Sequence, residues 1–171
     1  MRLLNIILSI YCINLFASIE PITDSELKEV IKIAQKGNRQ AQYELGLYFQ
    51  NKVRVDVSYL NMNENGRFTE NSNPEDYYLD AVKWFRMAAE NNHKLAQFSL
   101  GVLYNNGCGV PQNRIESIAW FSLAGRTDKQ IRAEFYESSL AKLSPDMAEK
   151  VQKRALELEK EIDAKTAQKN K

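Results

Sequence analysis

His93 is the only histidine in the chain, and so the one side chain whose ordinary pKa lets it trade protons near neutrality. As a general base it would need a nucleophile beside it, and as a metal ligand it would need further His, Cys or carboxylate partners at set spacing. Its sequence neighbours supply neither. It follows Asn91-Asn92 and stands where Asn38 stands in an earlier copy of the surrounding pattern, so it reads as a joint residue between helices. Cys108, the candidate nucleophile, lies within Gly107-Cys108-Gly109 with no histidine nearby. No Lys-Ser or Lys-Thr follows it and no strand is expected before it, so the glycines form a turn and not a phosphate loop. Glu75 and Asp76 fall at an expected helix start, and Glu157, Glu159 and Glu161 on a charged helix face. Nothing selects a catalytic carboxylate pair among them. The expectation is a protein that is not an enzyme, with no catalytic, metal or cofactor-binding residues.

Bulk composition agrees. The 171 residues are 44% hydrophobic and 26% charged, enough for a globular domain with a core. Lys and Arg number 23 against 22 acidic residues, so no net field draws the chain to nucleic acid. Residues 1–18 differ from the rest: Arg2 is followed by an apolar run from Leu3 to Phe16 and then the small residues Ala17 and Ser18. That order is the layout of a secretory signal peptide, with cleavage expected after Ala17 or Ser18; an uncleaved anchor is the alternative. The expected location is therefore periplasmic or secreted, with no stable membrane span after cleavage. Cys12 falls inside this segment, which leaves Cys108 alone in the mature chain and excludes an internal disulfide.

Two stretches are written to one template. Ala41-Gln42-Tyr43-Glu44-Leu45-Gly46-Leu47-Tyr48-Phe49 recurs as Ala96-Gln97-Phe98-Ser99-Leu100-Gly101-Val102-Leu103-Tyr104, offset by 55 residues. Asp80-Ala81-Val82-Lys83-Trp84-Phe85 recurs as Glu116-Ser117-Ile118-Ala119-Trp120-Phe121, offset by 36. The difference, 19 residues, is an insertion in the first copy, and the underlying period of 36 belongs to helical solenoids. Ala41 and Leu45, like Ala96 and Leu100, lie four apart on one helix face. Gly46 and Gly101 sit inside helices, where glycine costs about 1 kcal/mol relative to alanine. The expected reason is close approach of a neighbouring helix backbone. Trp84 and Phe85 alternate with Ala81, Ala88 and Ala89, as Trp120 and Phe121 do with Ala119, so that rings fill the space beside alanines.

The remaining segments fit around these copies. An opening helix is expected over 23–36, started by the capping box Thr23-Asp24-Ser25-Glu26. Repeat one then covers 38–91, repeat two 93–126, and capping helices 129–143 and 145–165, with a flexible tail over 166–171. Ile131, Phe135 and Leu140 mark the first cap with irregular spacing; Met147, Val151, Ala155, Leu158 and Ile162 form one stripe on the second. Within the insertion, 52–74, Val53, Val55, Val57 and Tyr59 alternate with polar residues before Asn65-Gly66 and Phe68, which suggests a small β-hairpin, with a loop as the alternative.

The residues Ala96-Gln97, Leu100-Gly101, Tyr104-Asn105-Asn106-Gly107-Cys108-Gly109-Val110, Ala119-x-Phe121 and Ala124, with Ala81-x-x-Trp84-Phe85-x-x-Ala88-Ala89, resemble the Sel-like repeat family, relatives of tetratricopeptide repeats. The resemblance spans about residues 23–165 and departs from the family where the insertion replaces the first Gly-x-Gly-Val turn. It implies an all-α fold: a right-handed α-solenoid of antiparallel helix pairs, about two full repeats plus terminal capping helices. It implies a concave wall of first helices that binds a protein or peptide. Some cysteine-rich relatives are associated with β-lactams, but they carry a paired cysteine in each repeat, which this chain lacks.

The residues expected to line such a groove are Tyr43, Glu44, Tyr48, Phe98 and Asn105, with Tyr59 and Phe68 of the insertion adding contacts and Tyr77 and Tyr78 extending the surface. Leu47, Val102 and Leu103 are expected to be core. The leading function is an exported adaptor that binds one protein partner, as an inhibitor, immunity-type or envelope-assembly protein; the alternatives are an enzyme acting on cell wall or β-lactams, and a structural spacer. The residues do not fix the partner or the oligomeric state.

Overall fold

The computed structural model describes residues 23–58 and 74–169, and among them every regular element is helical. In chain order these are α1 (Asp24–Gln35), α2 (Arg39–Ser58), α3 (Pro74–Glu90), α4 (Lys94–Asn106) and α5 (Arg114–Ala124). There follow α6 (Lys129–Ile131), a π-helical segment (Arg132–Glu137), α7 (Ser138–Leu140) and the long α8 (Pro145–Lys169). Helices α2 and α3 pair, as do α4 and α5, and α3 packs on α4 to join the pairs. Helix α1 leans on α2 at one end of the stack, and α8 lies along α5 at the other. The signal-peptide segment, Tyr59, Asn65-Gly66 and Phe68 lie outside the described residues.

The start of α1 is the capping box of Thr23 and Glu26: the Glu26 N–H donates to Thr23 Oγ1 at 3.3 Å, and the Thr23 N–H to Glu26 Oε2 at 3.0 Å. Gly107 ends α4 with φ of 72° and donates to the Leu103 carbonyl. Gly109, at φ of 65°, passes so close to α3 that a Cβ would stand 2.6 Å from the Tyr78 carbonyl. The Gly-x-Gly turn therefore presses one repeat against the second helix of the preceding one.

Inside each pair, a glycine of the first helix faces a phenylalanine of the second. A Cβ on Gly46 would stand 2.4 Å from Phe85, and one on Gly101 would stand 2.4 Å from Phe121. The sequence reading expected a helix backbone here; an aromatic face fills the site instead, because a ring packs closer on bare backbone than on any side chain. Ala81, Ala88, Ala89, Ala96 and Ala119 are fully buried around these rings. The stripe on α8 buries Val151, Ala155, Leu158 and Ile162, the last three joining the main core with Trp120 and Leu123. A smaller core beneath α1 gathers Val30, Ala34, Ala41, Leu45 and Trp84.

Three local expectations need correction or explanation. Residues 52–58, whose alternating valines suggested a strand, continue α2 as helix. Extending an existing helix needs no new nucleus, whereas a hairpin with no sheet to join is marginal. The end expected as a flexible tail stays helical through Lys169; Lys165 holds Glu90 at 2.7 Å and the Thr166 hydroxyl donates to the Ile162 carbonyl. The irregular spacing of Ile131, Phe135 and Leu140, four residues and then five, matches the wider turns of the π segment.

The glycine-ring contacts give a clear expectation. Gly101→Ala improves helix propensity by about 1 kcal/mol, but the methyl overpacks Phe121 at a cost of about 1–3 kcal/mol. Net destabilisation is expected as a lower urea midpoint at an unchanged slope, and a raised midpoint would show that the ring yields.

Candidate functional site

Equivalent polar side chains at the two joints set the site. Asn38 caps α2, its Oδ1 accepting from the Gln40 and Ala41 N–H groups at 3.1 and 3.0 Å. His93 caps α4 from the corresponding place, its Nδ1 accepting from the Ala96 N–H at 3.3 Å. An accepting Nδ1 puts the ring proton on Nε2, 3.0 Å from Gln40 Oε1, which it donates to. Gln40 Nε2 in turn donates to Glu44 Oε1 at 2.9 Å. The Tyr43 ring stacks on the imidazole with centroids 4.5 Å apart. Burial first, and the charge of Arg39 second, hold the His93 pKa below its ordinary value. Burial pushes the Glu44 carboxyl up, against the smaller opposing effect of the Gln40 hydrogen bond.

A second polar seam runs beside the first. Gln42 Nε2 donates to the Ala34 carbonyl at 2.8 Å, and Gln97 Nε2 donates to the Ala89 carbonyl at 3.3 Å. Both glutamines are buried, and each serves a carbonyl at the end of the helix before its own. Gln42 Oε1 also accepts from Asn91 Nδ2 at 2.7 Å, which ties the end of α3 to α2. The recurrence of Gln directly after Ala41 and Ala96 was the available signal for this role.

These contacts redraw the expected groove. Tyr43 is 8% and Glu44 3% exposed, so neither is a groove residue. The His93 ring at the start of α4 stacks on Tyr43, and Glu44 beside it accepts from Gln40 of its own helix. Phe98 is half-buried, with Phe135 edge-on at 4.7 Å and Phe121 at 5.5 Å; the first capping segment occupies the place an outside partner would need. Tyr48 is half-buried, edge-on to Phe49 at 5.2 Å, and Asn105 is exposed. Tyr77 is half-buried beneath the ammonium of Lys52, 5.0 Å from its ring centre, and Tyr78 packs against the main core. Leu103 is buried and Leu47, though half-buried, packs against the main core, while Val102 is half-buried outside it. Tyr59 and Phe68 lie outside the described residues. Ala41, Leu45, Gly46, Trp84, Phe85, Ala96, Leu100, Gly101, Trp120 and Phe121 are all buried, and Gly107 and Gly109 form the turn.

The less covered half of the first-helix stripe is Leu47, Gln50 and Asn51 on α2, with Val102, Asn105 and Asn106 at the same positions on α4. Each set is spaced i, i+3, i+4 and shares a helix face. Six half-buried or exposed side chains, four of them amides, recur at one offset on two packed repeats.

The Sel1 repeat family model matches residues 39–54, 62–93 and 94–126. The chain is a Sel1 repeat solenoid. Among solved structures, a protective antigen present in uropathogenic Escherichia coli strains and displaying an SLR fold is similar, at 22% identity and a TM-score of 0.58. The match covers 80% of this chain and 26% of that one, so the Sel1 repeat chain spans about a quarter of the antigen's length and the likeness is one of fold. No curated protein matches the chain.

In this Sel1 repeat protein the capping helix brings an ion pair that spacing along the chain did not suggest. Arg154 of α8 grips Glu116 of α5 with two bonds, Nε to Oε2 at 2.7 Å and Nη2 to Oε1 at 3.1 Å. Glu161 and Glu157 accept from its Nη1 at 3.2 and 3.5 Å, and Glu159 pairs with Arg126 at 2.7 Å. The acidic face of α8, read from the sequence as merely solvated, therefore fastens the cap to repeat two. Cys108 is half-buried against the main core, its N–H donating to the Leu103 carbonyl.

Glu44 provides the prediction. Its pKa is raised on folding, so its contribution to stability is fully present below the unfolded value of about 4.5 and lost as pH rises through the folded value. Glu44→Gln, which keeps an acceptor for Gln40, should raise the thermal midpoint at pH 7 and leave it little changed at pH 4. Equal effects at both values would remove burial of the charge as the cause.

Proposed function

We propose that the protein is an exported adaptor that binds an extended segment of a protein partner along the open half of the first-helix stripe. The Sel1 repeat solenoid is commonly a protein-interaction fold, which supports a binding role in general. The observation that carries the finer reading is the paired stripe of Leu47, Gln50 and Asn51 with Val102, Asn105 and Asn106. A carboxamide offers donors and an acceptor on one planar group, which is what a peptide bond needs. Leu47 and Val102 offer apolar area between the amides. An extended chain laid across α2 and α4 would meet the same chemistry twice, which raises its effective concentration at the second repeat. Export rests on the N-terminal order of Arg2, the apolar run and Ala17-Ser18. No described helix is long and apolar enough to cross a membrane.

The test is photocrosslinking in the envelope fraction, with the reactive group at Val102 or, as control, at exposed Lys83 of α3. One partner is expected from position 102 and not from 83, and Asn105→Ala with Asn106→Ala should lower its capture about tenfold, as for one or two lost hydrogen bonds. Equal capture from both positions, or indifference to the amide substitutions, would sink the proposed surface. Sequencing of the mature N-terminus is expected to begin at Ser18 or Ile19; recovery of Met1 would refute cleavage.

A further inference from the structure

We propose that the joint between the two repeats is operated by protons: protonation of His93 withdraws the cap of α4 while its bond to α2 stays in place. The neutral ring serves both sides at once, accepting from the Ala96 N–H through Nδ1 and donating to Gln40 through Nε2. Protonation leaves the Nε2 bond intact. It places a second hydrogen on Nδ1, facing the Ala96 N–H, so a donor meets a donor and the cap is lost. The new positive charge also stands at the N-terminus of α4, the positive end of the helix dipole.

The surroundings do not compensate. From α2 the imidazole faces Arg39, the stacked Tyr43 ring, and Glu44 only through the amide of Gln40. Glu90, the last residue of α3, is held by Lys165 of α8 at 2.7 Å. Its own helix begins with Lys94, held by Asp128 at 3.1 Å. Among the described residues no carboxylate is ion-paired with the imidazole directly. Burial and Arg39 lower the folded pKa of His93 below the ordinary 6.5. Its stabilising contribution is therefore fully present above 6.5 and lost as pH falls through the lowered value. The first joint supplies an internal control, since Asn38 does the same capping with an amide that does not titrate.

As the only histidine, His93 gives one pair of imidazole signals, Nδ1 and Nε2, in the 15N spectrum of the full chain. From pH 7.5 down to 5, the expected result is an Nδ1 that is unprotonated at the start, and a titration midpoint below 6.5. After correction for intrinsic exchange, protection of the Ala96 amide should fall as pH drops from 6.5 to the midpoint, by at most about tenfold per pH unit, and level off below it, while that of Ala41 holds. His93→Asn should keep Ala96 protected throughout and flatten the dependence of stability on pH. The proposal is overturned if Ala96 protection ignores the titration, if the midpoint lies at or above 6.5, or if a folded His93→Asn protein keeps the wild-type pH slope. Should that variant not fold, the wild-type measurements decide alone.

Discussion

The ring of Phe85 lies where a Cβ on Gly46 would have to stand, and Phe121 repeats the arrangement on Gly101. That contact fixes how close the two helices of a repeat come, and the rest of the packing is adjusted to it. Only alanines fit beside the rings at such separation, which is why Ala81, Ala88, Ala89, Ala96 and Ala119 have no exposed surface. A helix-interior glycine sacrifices about 1 kcal/mol of local preference, while full burial of one phenylalanine contributes about 1.5–3 kcal/mol. The exchange favours the pair, and it recurs because each repeat must solve the same problem.

With that spacing set, helix ends are brought near neighbouring side chains, and the polar seams follow. The glutamine next to the first core alanine reaches the last carbonyls of the preceding helix, 2.8 Å away in one copy and 3.3 Å in the other. Buried carbonyls left without such a partner would each cost about 1–3 kcal/mol. Both seams close helix ends within the fold, although they are built from residue types that often bind ligands.

This is also where sequence and structure part. The repeat, its helix pairs and the closing stripe of Val151, Ala155, Leu158 and Ile162 were legible because burial imposes a period on side chains. The groove was less so. Tyr43 and Phe98 carry the same large rings whether they face solvent or the next helix, and only the position of His93 and of Phe135 decides between the two. Glu44 was expected in the groove because nothing in its neighbours signals burial, and Glu116 meets Arg154 only across the fold, 38 residues away in the chain. The valine alternation of 53–57 misled for the opposite reason: a period of two is a strand signal only where a sheet exists to receive it. The signal-peptide reading rests on residues outside those described, and the order of its side chains remains its support.

The π-helical segment Arg132–Glu137 has an implication for how such a chain can change length. Each wide turn takes up one residue more than an α turn, so an added residue there is absorbed locally and Phe135 still meets Phe98 and Phe121. The same residue added inside α4 would rotate everything beyond it by about 100° and carry Gly101 away from its ring. Tolerance of insertion is thus written unevenly along the solenoid: low within the repeats, where phase is shared between helices, and high at the closing segment, where a slack turn separates the last repeat from its lid.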